Sequence, residues 1–159
     1  MGAVLVCLGR FAIILLGYLT ASLAASAFIN LIVVGLAGFT TDEAPFVAMG
    51  SIIFSIPFVA LFVAYYAFIP SVGAILLAEI IGARDWLFHS LAGAVVSIVV
   101  IGFFWRAAEP GDVIAGDPRT AMTVIGAGLV GGMVYWLVAG RTAGDWRRSA
   151  VADAISPER

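Results

Sequence analysis

Glu79 and His89 stand on either side of a short Gly82-Ala83-Arg84-Asp85 turn, inside an otherwise strongly apolar chain. An ionisable group at membrane depth is costly to bury and is a functional candidate by default. If the segment before the turn folds back beside the segment after it, carboxylate and imidazole approach each other. Two titratable groups in a low dielectric would then be available for proton or ion transfer. The competing reading keeps both at the membrane interface, with Glu79 paired to Arg84 and His89 reaching toward headgroups.

Asn30 is the other polar residue of interest, the only Asn in a chain that also lacks Gln. A buried amide in lipid seeks a partner across a helix interface, so Asn30 reads as a polar contact between helices. The single Cys7 has no second cysteine with which to form a disulfide, and one thiol without Cys or His companions is no metal site. No nucleophile elbow, H-E-x-x-H or paired-cysteine motif occurs, and His89 is the only histidine, so no catalytic residues, cofactor or metal are expected. Gly126-Ala127-Gly128-Leu129-Val130-Gly131 has the letters of a dinucleotide-binding turn. Too little chain follows it for the second strand and the acidic residue that such a unit requires, so glycines at helix-packing spacing explain it better.

The elements that must position these residues follow from composition. Of 159 residues, 63% are hydrophobic and 11% charged, and the mean hydropathy is +1.13. A soluble domain averages roughly 45–50% apolar and about 25% charged. The net charge of -2 supplies no basic stripe for nucleic acid, so no nucleic-acid partner is expected. The charges fall in short clusters between long uncharged runs, and a helix needs about 20 such residues to cross ~30 Å of hydrocarbon. The expected fold is therefore all-α, an integral-membrane four-helix bundle.

The spans are expected at about 11–38, 46–69, 86–105 and 120–140, in one transmembrane domain over 1–140, with 141–159 as a polar cytoplasmic tail. Asp42, Glu43 and Pro45 end the first span. Pro57 is expected to kink the second, and Pro70, just after an aromatic group that includes Tyr65, Tyr66 and Phe68, to end it. Residues 71–83, with Glu79 among them, then form an additional half-length or kinked helix that continues the span or lies along the interface.

Helices in lipid associate by close packing of small residues, because lipid tails offer no hydrophobic driving force between them. Gly17, Ala21 and Ala25 recur at spacing four in the first span, with Ser22 and Ser26 on the adjacent row. Gly93 and Ser97 repeat that spacing in the third span, as do Gly128 and Gly132 in the fourth. Such seams suit either a compact bundle or self-association.

All eight basic residues are arginines, and Arg10, Arg84, Arg141, Arg147, Arg148 and Arg159 fall on one side of this span map, against Arg106 and Arg119 on the other. The positive-inside rule then puts both termini in the cytoplasm. Arg10, the apolar stretch after it and Ala25-Ser26-Ala27 also have the outline of a signal peptide. The apolar run continues through Val34, which suits an uncleaved helix.

The stretch Tyr66-Ala67-Phe68-Ile69-Pro70, Ala78-Glu79, Arg84-Asp85-Trp86-Leu87-Phe88 and Leu91-Ala92-Gly93, with Tyr135-Trp136-Leu137-Val138-Ala139-Gly140-Arg141, resembles small uncharacterised four-helix inner-membrane proteins of alphaproteobacteria. The resemblance covers the second half of the chain and implies four helices in the bacterial inner membrane, with no activity or catalytic residues to carry over. The expected function is that of a non-enzymatic membrane protein acting through helix packing, as accessory subunit of a membrane complex or small homo-oligomer. Its partners would be the lipid bilayer and other membrane proteins or itself. The alternative is an oligomeric proton or small-solute transporter using Glu79 and His89.

Overall fold

In the computed structural model, residues 2–36, 44–107 and 117–144 are described. Parts of two expectations, residues 37–38 of the first span and residues 145–159 of the tail, lie outside them. The elements are α1 (Gly2–Leu36), a short α2 (Ala44–Gly50), a π-helical turn (Ser51–Ser55), α3 (Ile56–Ile81), α4 (Trp86–Ala107), α5 (Pro118–Val138) and a 3-10 turn (Gly140–Thr142). Four stretches are long and apolar enough to cross a membrane: Cys7–Leu36, Ile53–Ile81, Trp86–Ala107 and Pro118–Val138. The fold is an all-α four-helix bundle.

The second span corrects the expected boundaries, because it runs over Ile53–Ile81 and not over 46–69. The helix runs without a break from Ala44 through the π-turn into α3, and Pro57 follows that π-turn directly, so the irregularity expected at Pro57 falls there. Pro70 lies inside the helix, and a membrane-spanning helix tolerates it because neighbouring groups can meet the freed carbonyl. Residues 71–81 are thus the last third of the span, the continuation past Pro70 that was one of the two expected arrangements, and no separate interfacial helix forms there. Gly82, at φ 67°, ends α3 in the left-handed conformation that glycine reaches without a Cβ penalty, and the Ala83 N–H closes back on the Ala78 carbonyl (2.9 Å).

The helices form a ring in which α5 packs most closely against α4 and α1, and α3 completes the circuit against α1 and α4. Small residues decide which pairs are intimate. A Cβ on Gly93 would run into the Gly128 backbone, one on Gly128 into Ser97 and Gly93, and one on Gly132 into the His89 carbonyl. On the other side of α5, a Cβ on Gly17 would come within 2.9 Å of the Ala139 methyl and 3.2 Å of the Tyr135 ring. A Cβ on Gly131 would be 3.2 Å from the Ala21 carbonyl and 3.5 Å from Ala25. Both seams therefore lie within the chain and give α5 two close neighbours. The apparent dinucleotide motif is wholly helical, with Gly128 on the α4 side and Gly131 on the α1 side.

The attachment of α3 is different in kind. Only Ala60 and Ala78 are buried along α3, and hydroxyl groups on α1 tie it in place. Tyr18 donates to the Ala64 carbonyl and Ser26 to the Ile56 carbonyl (2.7 Å). Asn30 donates to the Ser26 carbonyl (3.0 Å) and accepts from Ser55, the last residue of the π-turn. A polar contact of this type contributes about 0.6–2 kcal/mol in a membrane.

Candidate functional site

The start of α1, the end of α3, the start of α4 and the end of α5 meet at one end of the bundle, called here the Arg10 end. Arg10 forms an ion pair with Glu79 there, tying α1 to α3, with side chains only 16% and 12% exposed. Arg10 also donates to the Thr142 hydroxyl (2.6 Å) and to the Ala139 carbonyl (3.3 Å), at the negative end of the α5 dipole. The second Glu79 oxygen accepts the Gly144 N–H (3.0 Å). Gly144, at φ 73°, lies so close to α3 that a Cβ there would be 3.0 Å from the Gly82 Cα.

Arg84 adds a further tie, donating from Nε to the Ala143 carbonyl (3.0 Å), while the Trp136 indole donates to the Arg84 carbonyl (2.7 Å). The expected pairing of Glu79 with Arg84 is corrected on this point. Glu79 engages Arg10, because α1 and the segment after α5 pack against its turn of α3.

His89 corrects the interfacial expectation as well. It is 4% exposed, held in the α4–α5 seam where Gly132 leaves room for its backbone. Its Nδ1–H donates to the Asp85 carbonyl (2.9 Å), and its ring stacks on Tyr135 with centroids 5.8 Å apart and planes 26° from parallel. Nε2 has no hydrogen-bond partner among the described residues, and a Cβ on Gly140 would lie 2.8 Å from it. Glu79 and His89 thus share one end of the bundle but are engaged by different partners. Asn30 lies on α1 toward the opposite end, apart from both.

Between α3 and the other three helices is a half-open chamber of about 520 Å³, lined by residues of all four spans. That is within the ~300–1,000 Å³ usual for small-molecule sites. On α4 the lining runs from His89 to Phe104, about 22 Å along the axis at ~1.5 Å per residue. One wall is made of small residues, among them Ala21, Ala25, Gly93 and Gly128, and the facing wall on α3 carries Phe62 and Tyr66. The small side chains that bring α5 close to its neighbours also leave this space open. Among the described residues, the lining contains no Asp, Glu or Arg, and no group of His, Cys, Asp and Glu could hold a metal ion.

Sequence reasoning named Glu79, His89, Asn30 and the packing residues but missed Arg10, Tyr135, Thr142 and Gly144. Arg10 was legible only as a flanking charge. Its position immediately before the first uncharged run, with Glu79 one turn before Gly82, was the available signal that both sit near the same end of their spans.

Fold and site together define a class, a multi-pass α-helical membrane protein with a chamber inside its bundle. No family model, no curated protein and no solved structure matches the chain.

Proposed function

We propose that the protein is a non-enzymatic binding protein of the bacterial inner membrane, with both termini cytoplasmic, and that it holds a largely apolar molecule in the chamber. The observation that carries this reading is a space of about 520 Å³ walled by four helices and free of acidic and arginine side chains among the described residues. The gathering of Arg10, Arg84 and Arg141 at one end supports the orientation. Transport of a proton or ion past Glu79 and His89 has less support, since Glu79 is engaged by Arg10 and Gly144 and His89 faces Gly140.

Mass spectrometry of lipids extracted from the protein purified in mild detergent tests the reading, with Ala67→Phe as the comparison because Ala67 lines the chamber. One apolar species should be retained by the wild type and lost from the variant. The same extract from both would overturn it.

A second reading, accessory subunit of a membrane complex, has its own support in α3. The residues Phe58, Leu61, Tyr65 and Ile69 form an outward row, each more than 60% exposed. The glycine seams are used inside the chain, so a partner would meet this row. A photo-crosslinker at Tyr65 should then capture another membrane protein in vivo, and crosslinks to lipid alone would remove the reading.

A further inference from the structure

The chamber is chemically polarised along its length. Its far end is lined by hydrocarbon from Ile29, Phe62, Val100, Phe104 and Val124, and its Arg10 end carries the stacked rings of His89 and Tyr135. Most polar atoms on the way are turned to backbone carbonyls: the Tyr18 hydroxyl bonds Ala64, Ser22 bonds Tyr18 (3.0 Å) and His89 Nδ1 bonds Asp85. His89 Nε2 abuts Gly140.

The hydroxyls of Tyr135, Ser71 and Ser97 differ from these: none has a hydrogen-bond partner among the described residues, and of the three only Tyr135 stands at the Arg10 end of the chamber, against His89. Tyr135 is 7% exposed, yet its hydroxyl is without such a partner. A phenol in such a place ordinarily finds one. Tyr135 stands one helical turn before Ala139, whose carbonyl accepts from Arg10, and both pack on Gly17, which puts the residue at the end of the bundle that holds the Arg10–Glu79 pair. Because that pair compensates itself, a charged ligand head would find no counter-ion and would meet the full cost of burial.

We infer that the chamber takes a single-chain amphiphile with an uncharged, hydrogen-bonding head, the head on the Tyr135 hydroxyl and the chain running toward Phe104. A length of about 22 Å exceeds one ~15 Å leaflet, so the chain lies along the helices instead of ending at the bilayer midplane. The small-residue wall admits a narrow unbranched chain. This inference rests on the binding reading above and adds to it the nature of the ligand and its direction.

Full-length protein in detergent is incubated with radiolabelled hexadecanol, hexadecane or hexadecylammonium, and retention is measured relative to empty micelles. The wild type should retain hexadecanol about three- to tenfold better than hexadecane, the worth of one hydrogen bond, and hexadecylammonium least. Tyr135→Phe should retain hexadecane as before and lose the preference for the alcohol. Thr123→Ala, which removes a hydroxyl of α5 that lies outside the chamber lining and is bonded within its own helix, should keep it.

Retained hexadecane in Tyr135→Phe also reports that the variant is folded. Equal retention of alcohol and alkane by the wild type, strongest retention of the ammonium probe, or an unaltered preference in Tyr135→Phe would overturn the head assignment and leave the chamber reading standing. Retention of none of the probes would overturn both.

Discussion

Arg10 and Glu79, 69 positions apart in the chain, meet as an ion pair at one end of the bundle and join the first span to the second. The carboxylate is bound on both sides, by Arg10 and by the Gly144 N–H, so one side chain links α1, α3 and the segment after α5. α3 buries only Ala60 and Ala78, so this contact joins those of Tyr18, Ser26 and Asn30 in holding it.

Replacing Glu79 with Ala leaves the Arg10 guanidinium without its counter-charge and the Gly144 N–H without an acceptor. The expected loss is on the order of 1–3 kcal/mol, read as a lower thermal unfolding midpoint in detergent. Arg10→Met combined with Glu79→Met removes both charges together and should cost less than the two single changes summed. Strict additivity would show that the pair is not coupled.

Proton flux gives a separate test of Glu79. Proteoliposomes of the wild type should be no more proton-permeable than empty vesicles, and Glu79→Gln should change nothing. Flux in the wild type that Glu79→Gln abolishes would restore the transport reading.

Two glycines on different helices should respond in opposite ways. Gly93→Ala drives a methyl into the Gly128 backbone, where neither helix can yield without separating, and should cost about 1–3 kcal/mol. Gly73→Ala meets nothing within 4 Å and should be neutral or stabilising by up to about 1 kcal/mol from helix propensity. Unfolding midpoints of the two variants side by side decide it.

Asn30→Ala removes the contact with Ser55 and should lower stability by about 0.6–2 kcal/mol. Asn30→Ser, a shorter group, should recover little of this. An unchanged midpoint for Asn30→Ala would show that the Asn30–Ser55 contact adds nothing to the join between α1 and the second span.

Cys7 is exposed near the start of α1 and is the only thiol, which makes it a native reporter of orientation. A membrane-impermeant maleimide should label it in inverted vesicles and not in intact spheroplasts. Labelling in spheroplasts would reverse the proposed topology.

Much of this architecture is written along the chain itself. Four uncharged runs long enough to cross hydrocarbon leave a helical bundle as the economical solution, because every backbone group must be satisfied within its own helix. The spacing-four rows at Gly17, Gly93 and Gly128 are equally local, since four residues return a helix to the same face.

What the chain could not state is which rows meet, and how each proline is accommodated. Pro57 and Pro70 look alike in sequence, but the first follows a π-turn whose Ser55 bonds Asn30, and the second lies inside a regular helix. The partner of Glu79 was hidden for the same reason. Arg84 is five positions away and Arg10 is 69, but depth in the bilayer, set by where each helix begins and ends, decides which is near. The chamber belongs wholly to the tertiary structure: it exists because α5 packs tightly on α1 and α4 while α3, with larger side chains on its inner face, stands off.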